Sequence, residues 1–301
     1  MFSRYPEFKE VTLQMREVLH PLFKRLTEGI SEFTFANIYL FRKIHSYKIA
    51  KLPVENRANP SVGNIREIHP DLYLIMGEDD GERFAMLPFG IPEERVLSQI
   101  LEDCDFIKSV SQSQVLRFAE LGLDVREDRD NFDYIYLKTE LAELKGRKFH
   151  RKKNLLNAFI HNHRYEGKPL LEEYHGDALR VIEQWRVERS EQGDYEAACE
   201  AIEKAEFLSL CGGIYYVDGI PAAYSLGEEI AGGNTYVIHF EKAVGNYKGL
   251  YQFINMSFAS ILPDKYLYIN REQDLGIEGL RQAKMSYNPH SFIKKYKAYK
   301  R

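Results

Sequence analysis

Five consecutive side chains late in the chain could act together. Asn270, Arg271, Glu272, Gln273 and Asp274 supply an amide, a guanidinium, a carboxylate, a second amide and a second carboxylate. The residues before them, 266–269, alternate aromatic and aliphatic like the end of a buried strand, and a helix is expected from about 277 to 287. A strand end that feeds a helix is where α/β proteins gather binding groups, because the rigid sheet aims them into a crevice. The run also suits a polar turn in which Asp274 accepts from the free N–H groups of the helix start.

Other groups could complete such a crevice. Strand alternation over 235–241 puts Thr235, Val237, His239 and Glu241 on one face, with Tyr236, Ile238 and Phe240 on the other. His239 and Glu241 suit an acid–base pair, since imidazole titrates near neutrality. A hydrogen-bonded histidine beside a solvated carboxylate fits the same two residues. The next loop holds Gly245, Asn246, Tyr247, Lys248 and Gly249. Glycines there let the backbone approach a ligand, and the following helix N-terminus would attract a phosphate or pyrophosphate. On the last helix Leu280, Lys284 and Tyr287 share a stripe, so Lys284 either snorkels outward or turns its ammonium into a site.

Positive charge is concentrated between 145 and 165, where there are seven Lys or Arg, three His and no acid. Arg147, Lys148 and Arg151 fall together on an expected helix, with Leu155, Leu156, Phe159 and Ile160 beyond. Such a face meets water, the phosphates of RNA or a lipid headgroup. The tail after Glu278 is basic as well, through Arg281, Lys284, Lys294, Lys295, Lys297, Lys300 and Arg301.

The elements that must position these groups can be read in outline. A first helix is expected over 8–26, an aromatic segment over 31–41 and strands near 47–52, 72–77 and 84–89, with a long polar loop over 53–69. Two helices follow, the second ending at Gly122, and then a strand over 133–138. The basic helix opens the second half, followed by a weak strand signal over 170–174 and two helices around Trp185 and Cys199. A meander comes next: strands at 213–217 and 222–226 flank Asp218-Gly219, a hairpin signal. A Gly232-Gly233 turn leads to the His239 strand. A helix with Leu250, Phe253, Ile254, Phe258, Ile261 and Leu262 on one face then precedes the 266–269 strand. Both halves share this order of elements, which implies two α/β (α+β) domains of related plan.

At 301 residues the chain has room for two domains, and 44% hydrophobic with 29% charged residues marks a globular protein. A net charge of −4 excludes a general attraction to polyanions but not local patches. Cys104, Cys199 and Cys211 are odd in number and widely spaced, so neither a disulfide framework nor a metal site is expected. The N-terminus lacks an apolar signal core and no segment approaches a transmembrane span, so a cytoplasmic location is expected.

Several segments together resemble a known family. Leu144 to Phe149 with Arg151 to Asn154, then Tyr268 to Gly276, then Gly279 to Lys284 with Tyr287 and Pro289, are similar to the phosphatidylglycerol lysyltransferase C-terminal domain family. Residues 31–43 and 133–137 fit its soluble members, so the likeness covers nearly the whole chain. The resemblance implies two tandem GNAT-type acyltransferase folds, related in plan to the Fem peptidyltransferases, here 1–140 and 141–301, each a mixed, mostly antiparallel sheet flanked by helices. It also implies that an acyl donor enters where the 235–241 and 266–270 strands splay. Acyl-CoA or aminoacyl-tRNA is the implied donor. The 245–249 loop departs from the Gln/Arg-x-x-Gly-x-Gly/Ala pattern of coenzyme A binding, and aminoacyl-transferring relatives draw on charged tRNA, for which the 145–164 segment is the candidate contact. Lys284 matches a lysine of the lysyltransferases' final helix, whereas His239 and Lys242 stand where an acid and an arginine are expected.

The expected activity is transfer of an activated acyl or aminoacyl group to an amine or hydroxyl of a small-molecule or peptide acceptor. His239 or Glu241 would take the acceptor's proton, and Lys284, Arg271 and Asn270 would hold phosphate or the oxyanion, with Glu272, Asp274 and Tyr287 lining the site. The competing expectation is a non-catalytic protein that binds RNA, a nucleotide or a metabolite on the same scaffold.

Overall fold

A computed structural model describes residues 2–53, 72–189, 193–245 and 247–301. Along the chain run β1 (Lys9–Glu10), α1 (Arg16–Phe23), α2 (Phe35–Leu40), β2 (Lys48–Lys51), β3 (Tyr73–Asp79), β4 (Glu82–Met86), α3 (Glu94–Asp103), β5 (Phe106–Ser111), α4 (Val115–Glu120) and β6 (Asp124–Glu127). Then come β7 (Asp133–Leu137), α5 (Lys138–Glu143), α6 (His150–Asn162), β8 (Tyr165–Pro169), α7 (His175–Arg189), α8 (Tyr195–Glu203) and α9 (Ala205–Leu208). The chain ends with β9 (Cys211–Val217), β10 (Ile220–Ile230), β11 (Thr235–Ala243), α10 (Leu250–Ile261), β12 (Tyr268–Asn270), α11 (Glu278–Met285), β13 (Ser291–Ile293) and β14 (Lys295–Tyr299).

These elements form two compact units, one comprising Met1–Leu26, Phe41–Arg129 and Lys294–Arg301, the other Thr27–Leu40 and Asp130–Ile293. Each is built on a seven-stranded sheet, in the orders β1-β2-β3-β4-β5-β14-β6 and β13-β7-β12-β11-β10-β9-β8. Each sheet is antiparallel apart from one parallel pair, β4 with β5 and β11 with β12, joined in both cases by a helix. The units are not the contiguous stretches 1–140 and 141–301. β7 pairs with β12 and β13 in the second sheet, and β14 lies between β5 and β6 in the first.

Hydrophobic side chains decide this arrangement. In the first unit Leu74, Ala85, Ile107, Val110 and Ala298 from the sheet and Leu97, Ile100 and Phe118 from α3 and α4 share one buried core. In the second, α10 packs with α5 and α6, while α7 packs on β10 and β11. Consecutive residues show that these helices cover opposite faces: Glu241 reaches Asn255 on α10, and Lys242 lies over the Trp185 ring on α7 at 3.9 Å. The Asp218-Gly219 hairpin is present, both residues having left-handed φ (51° and 83°) as a tight type I′ turn demands.

Local sequence misleads in several places. The helix expected over 8–26 is only Arg16–Phe23, because Lys9–Glu10 pairs with β2 and Thr12 is extended. β5 was not anticipated between the two helices. The strand signal at 170–174 belongs one step earlier, in β8, and a short 3₁₀ turn occupies Glu172–Tyr174. The basic tail forms β13 and β14, with Lys295 fully buried and Lys294 bonded to Glu127 at 2.6 Å. The polar loop expected over 53–69 lies almost wholly outside the described residues. Among the described residues no helix is long and apolar enough to cross a membrane, and no cluster of His, Cys, Asp or Glu could hold a metal.

Candidate active site at the parting strands

β11 and β12 run parallel for three pairs, Thr235 with Tyr268, Tyr236 with Ile269 and Val237 with Asn270. β12 then ends, while β11 continues to Ala243. The strands therefore part at Val237 and Asn270, and the polar run begins at that fork. It coils sharply: Glu272 and Leu275 both take left-handed φ values (56° and 54°), unfavourable for non-glycine residues and held by surrounding contacts.

A bulge sets which way the β11 side chains face. Leu226 of β10 pairs with Phe240, but its neighbour Gly227 pairs with Ile238, so His239 has no residue opposite it. This breaks the alternation expected from sequence, and His239 and Glu241 do not form a pair. His239 turns to Glu228 of β10 and to Glu272, with Nε2 at 3.2 Å and Nδ1 at 2.7 Å from their carboxylate oxygens. Glu241 instead accepts from Arg271 Nη2 at 2.7 Å and from Asn255 Nδ2 at 3.0 and 3.2 Å.

The His239 environment removes it from the role of general base. Burial alone would push the imidazole pKa down, but hydrogen bonds to Glu228 and Glu272 outweigh it and raise the pKa to about 10. At neutral pH the ring holds its proton and is a buried cation between two carboxylates. Glu241 stands beside the fork as the carboxylate that meets Arg271. Its partner Arg271 lies with its guanidinium 5.4 Å from the Tyr287 ring centroid, and the Lys152 ammonium lies 4.2 Å from the same centroid. Burial pushes the Tyr287 hydroxyl up to about 12, so it remains a donor.

Other residues of the run are committed to the fold. Asn270 is fully buried and donates to Gly29 O at 3.0 Å and Asp133 Oδ2 at 3.2 Å, while its Oδ1 accepts from the Glu272 N–H at 2.7 Å. It has no donor left for an oxyanion. Asp274, also fully buried, accepts from Tyr134 Oη, Arg281 and the Gly276 N–H. Despite its burial, these bonds hold its carboxyl well below the usual range. It holds α11 through the Arg281 side chain, whereas the free N–H groups of the helix start receive no side-chain cap, so the capping expected of Asp274 is not seen. Lys284 points inward, donating to the backbone carbonyls of Arg271 (2.6 Å) and Gln273. Burial, then the charge of Arg271, lowers its pKa to about 8. It pins the run from below rather than offering its ammonium outward.

A family model described as phosphatidylglycerol lysyltransferase, C-terminal, matches residues 23–299. The chain belongs to this family. A conserved protein of unknown function from Bacteroides thetaiotaomicron has a crystal structure similar to it, with 29% identity, a TM-score of 0.83, and coverage of 98% of this chain and 99% of that one. FemX shares the fold at a TM-score of 0.57 and 10% identity over 97% of both chains. An uncharacterized protein of Mycoplasmoides gallisepticum is 26% identical over 184 residues, so the match spans 57% of this chain and about half (56%) of that relative. The two seven-stranded sheets, each flanked by helices, are thus a tandem GNAT-like fold.

Across this family member, the loop and the basic segment contribute unevenly. Gly249, with φ 95°, seats α10 against α6, and a Cβ there would lie 2.3 Å from Leu155 O. Gly245 donates its N–H to Glu188 at 2.6 Å, so a carboxylate already sits on the loop expected to hold a phosphate. Tyr247 packs edge-on to His163, Lys248 is exposed, and Asn246 lies outside the described residues. In the 145–164 segment Lys148 pairs with Glu140, while Arg147, Arg151 and Lys153 are exposed. Arg147 and Lys148 lie on a 3₁₀ turn preceding α6. Sequence reading missed Glu228, Asp133 and Asn255. Asn255 had a visible signal, a polar residue beside Ile254 on an otherwise apolar helix. Glu228 had none, because only the bulge brings it to His239.

Proposed function

We propose that the protein is an aminoacyltransferase, moving an aminoacyl group from charged tRNA to an amine or hydroxyl acceptor. The observation that carries this reading is the Glu241–Arg271 pair standing where β11 and β12 part, in a chain of the lysyltransferase C-terminal family. The acceptor's nitrogen or oxygen attacks the ester carbonyl carbon. Glu241, through the oxygen that meets only Asn255, takes the acceptor's proton, and Arg271 stabilises the oxyanion. The ester C–O bond then breaks, and the proton returns to the departing ribose oxygen. Glu188 on the Gly245 amide and the unusual loop speak for charged tRNA over acyl-CoA, and the exposed cations of α6 supply phosphate contacts.

The test is transfer of labelled amino acids from a charged tRNA pool to small amines and to peptide acceptors. Glu241→Gln is expected to slow transfer by about a hundredfold with tRNA binding retained. An unchanged rate would reject Glu241 as the base, and an unchanged rate in Arg271→Ala as well would reject the site.

One observation favours a second reading, a non-catalytic binding protein. The pairs Arg271–Glu241 and Glu272–His239 both span the gap between the parting strands. Salt-sensitive binding of tRNA with no transfer from any charged tRNA or acyl-CoA would decide for it.

A further inference from the structure

We propose that Lys152, Arg271 and Tyr287 form a binding site for a phosphate ester. Lys152 leaves α6 and lays its ammonium 4.2 Å from the Tyr287 ring centroid, and Arg271 approaches the same ring at 5.4 Å. Lys152 is half-buried and meets no carboxylate among the described residues, and the stretch 145–165 that carries it contains no acid. Burial and then the neighbouring Arg271 charge both press its pKa down, the condition of a cation without a counter-ion.

The local charges do not cancel. Among the described residues Glu241 is the single carboxylate bonded to Arg271, and it is shared with Asn255. Two cations against one carboxylate leave a surplus positive charge in a half-buried place. The other cation nearby, Lys284, is spent on backbone carbonyls, and the Tyr136 hydroxyl is spent on Lys284 O. Asn255 Oδ1 is buried and has no hydrogen-bond partner among the described residues, so an acceptor also awaits a donor beside the surplus charge. A phosphate ester meets both needs. Its charged oxygens suit the guanidinium fork and the ammonium, and a hydroxyl of the esterified sugar or glycerol can donate to Asn255. Exposed Arg151 and Lys153 flank Lys152 and extend the attraction outward.

The site is independent of the transferase reading, which only adds that the phosphate belongs to donor or acceptor. Calorimetric titration of the full chain with inorganic phosphate, AMP, glycerol 3-phosphate and acetate tests it. The three phosphate probes are expected to bind saturably at one site, with acetate weaker than each. Lys152→Gln should weaken phosphate binding by at least about tenfold, and Lys152→Arg should restore most of it. Tyr287→Leu, which removes the ring, should weaken it too. Tighter AMP binding points to a nucleic acid source of the phosphate, tighter glycerol 3-phosphate to a lipid headgroup. No saturable binding to the wild type, equal affinity of Lys152→Gln in a folded protein, or acetate binding as tightly as phosphate would each overturn the site. Phosphate binding through Lys152 in a protein that transfers nothing would sink the transferase reading alone.

Discussion

At the scale of single residues, His239 carries the sharpest consequence. Glu228 and Glu272 are both in contact with it, and its side chain is almost fully buried. Its folded pKa of about 10 lies above the unfolded value of roughly 6.5. The stability it contributes is therefore complete below about pH 6.5 and is lost as pH rises toward 10. His239→Gln keeps the size and one donor but removes the charge, leaving two carboxylates facing each other in the interior. A loss of about 3–5 kcal/mol is expected at pH 7 in denaturant unfolding. The loss should shrink near pH 5, where one carboxylate can take up a proton. A variant equally destabilised at both pH values would show that the ring is not held as a cation. The residue types of this site were legible in the sequence, and so were the places of Glu241, Arg271 and Tyr287. Their pairings were not, because Asp133 lies far off in the chain and only the bulge turns His239 to Glu228.

At the scale of elements, one extra residue in β11 separates the two groups that sequence periodicity had put together. Alternation assumes an unbroken ladder, and the shift between Leu226 and Gly227 violates it without any mark in composition. Some helices were easier to place than strands here: α10 ends one residue from the last residue of its expected apolar face, whereas the lysine-rich β14 reads only as part of a basic tail. The contact of α10 with α6 depends on Gly249. Its φ of 95° and the 2.3 Å approach of a Cβ to Leu155 O both oppose any side chain. Gly249→Ala should cost about 1–3 kcal/mol, and because α6 carries Lys152, it should also weaken phosphate binding. A variant with wild-type stability and wild-type phosphate affinity would mean that α10 does not hold α6 in place.

At the scale of the whole molecule, the two units share a plan but exchange chain segments. Thr27–Leu40 interrupts the first unit's stretch of sequence to join the second, and the chain returns at its end to place β14 inside the first sheet. That exchange is invisible to a reading that walks along the sequence, since β14 does not pair with a neighbour in sequence. It makes a distinctive prediction about the C-terminus. β14 bonds β5 on one side and β6 on the other, and its Tyr296 and Ala298 belong to the first unit's core. Removing Lys294–Arg301 would cut the edge strand β6 off from the rest of that sheet rather than trim a tail, exposing two strand edges and a core face. Hydrogen exchange of the truncated chain should show β3, β4 and β5 losing most of their protection while β9, β10 and β11 keep theirs. Protection retained in both sheets would place the last strand outside the first unit's cooperative core, and loss in both would show that the second unit does not hold its structure without the first.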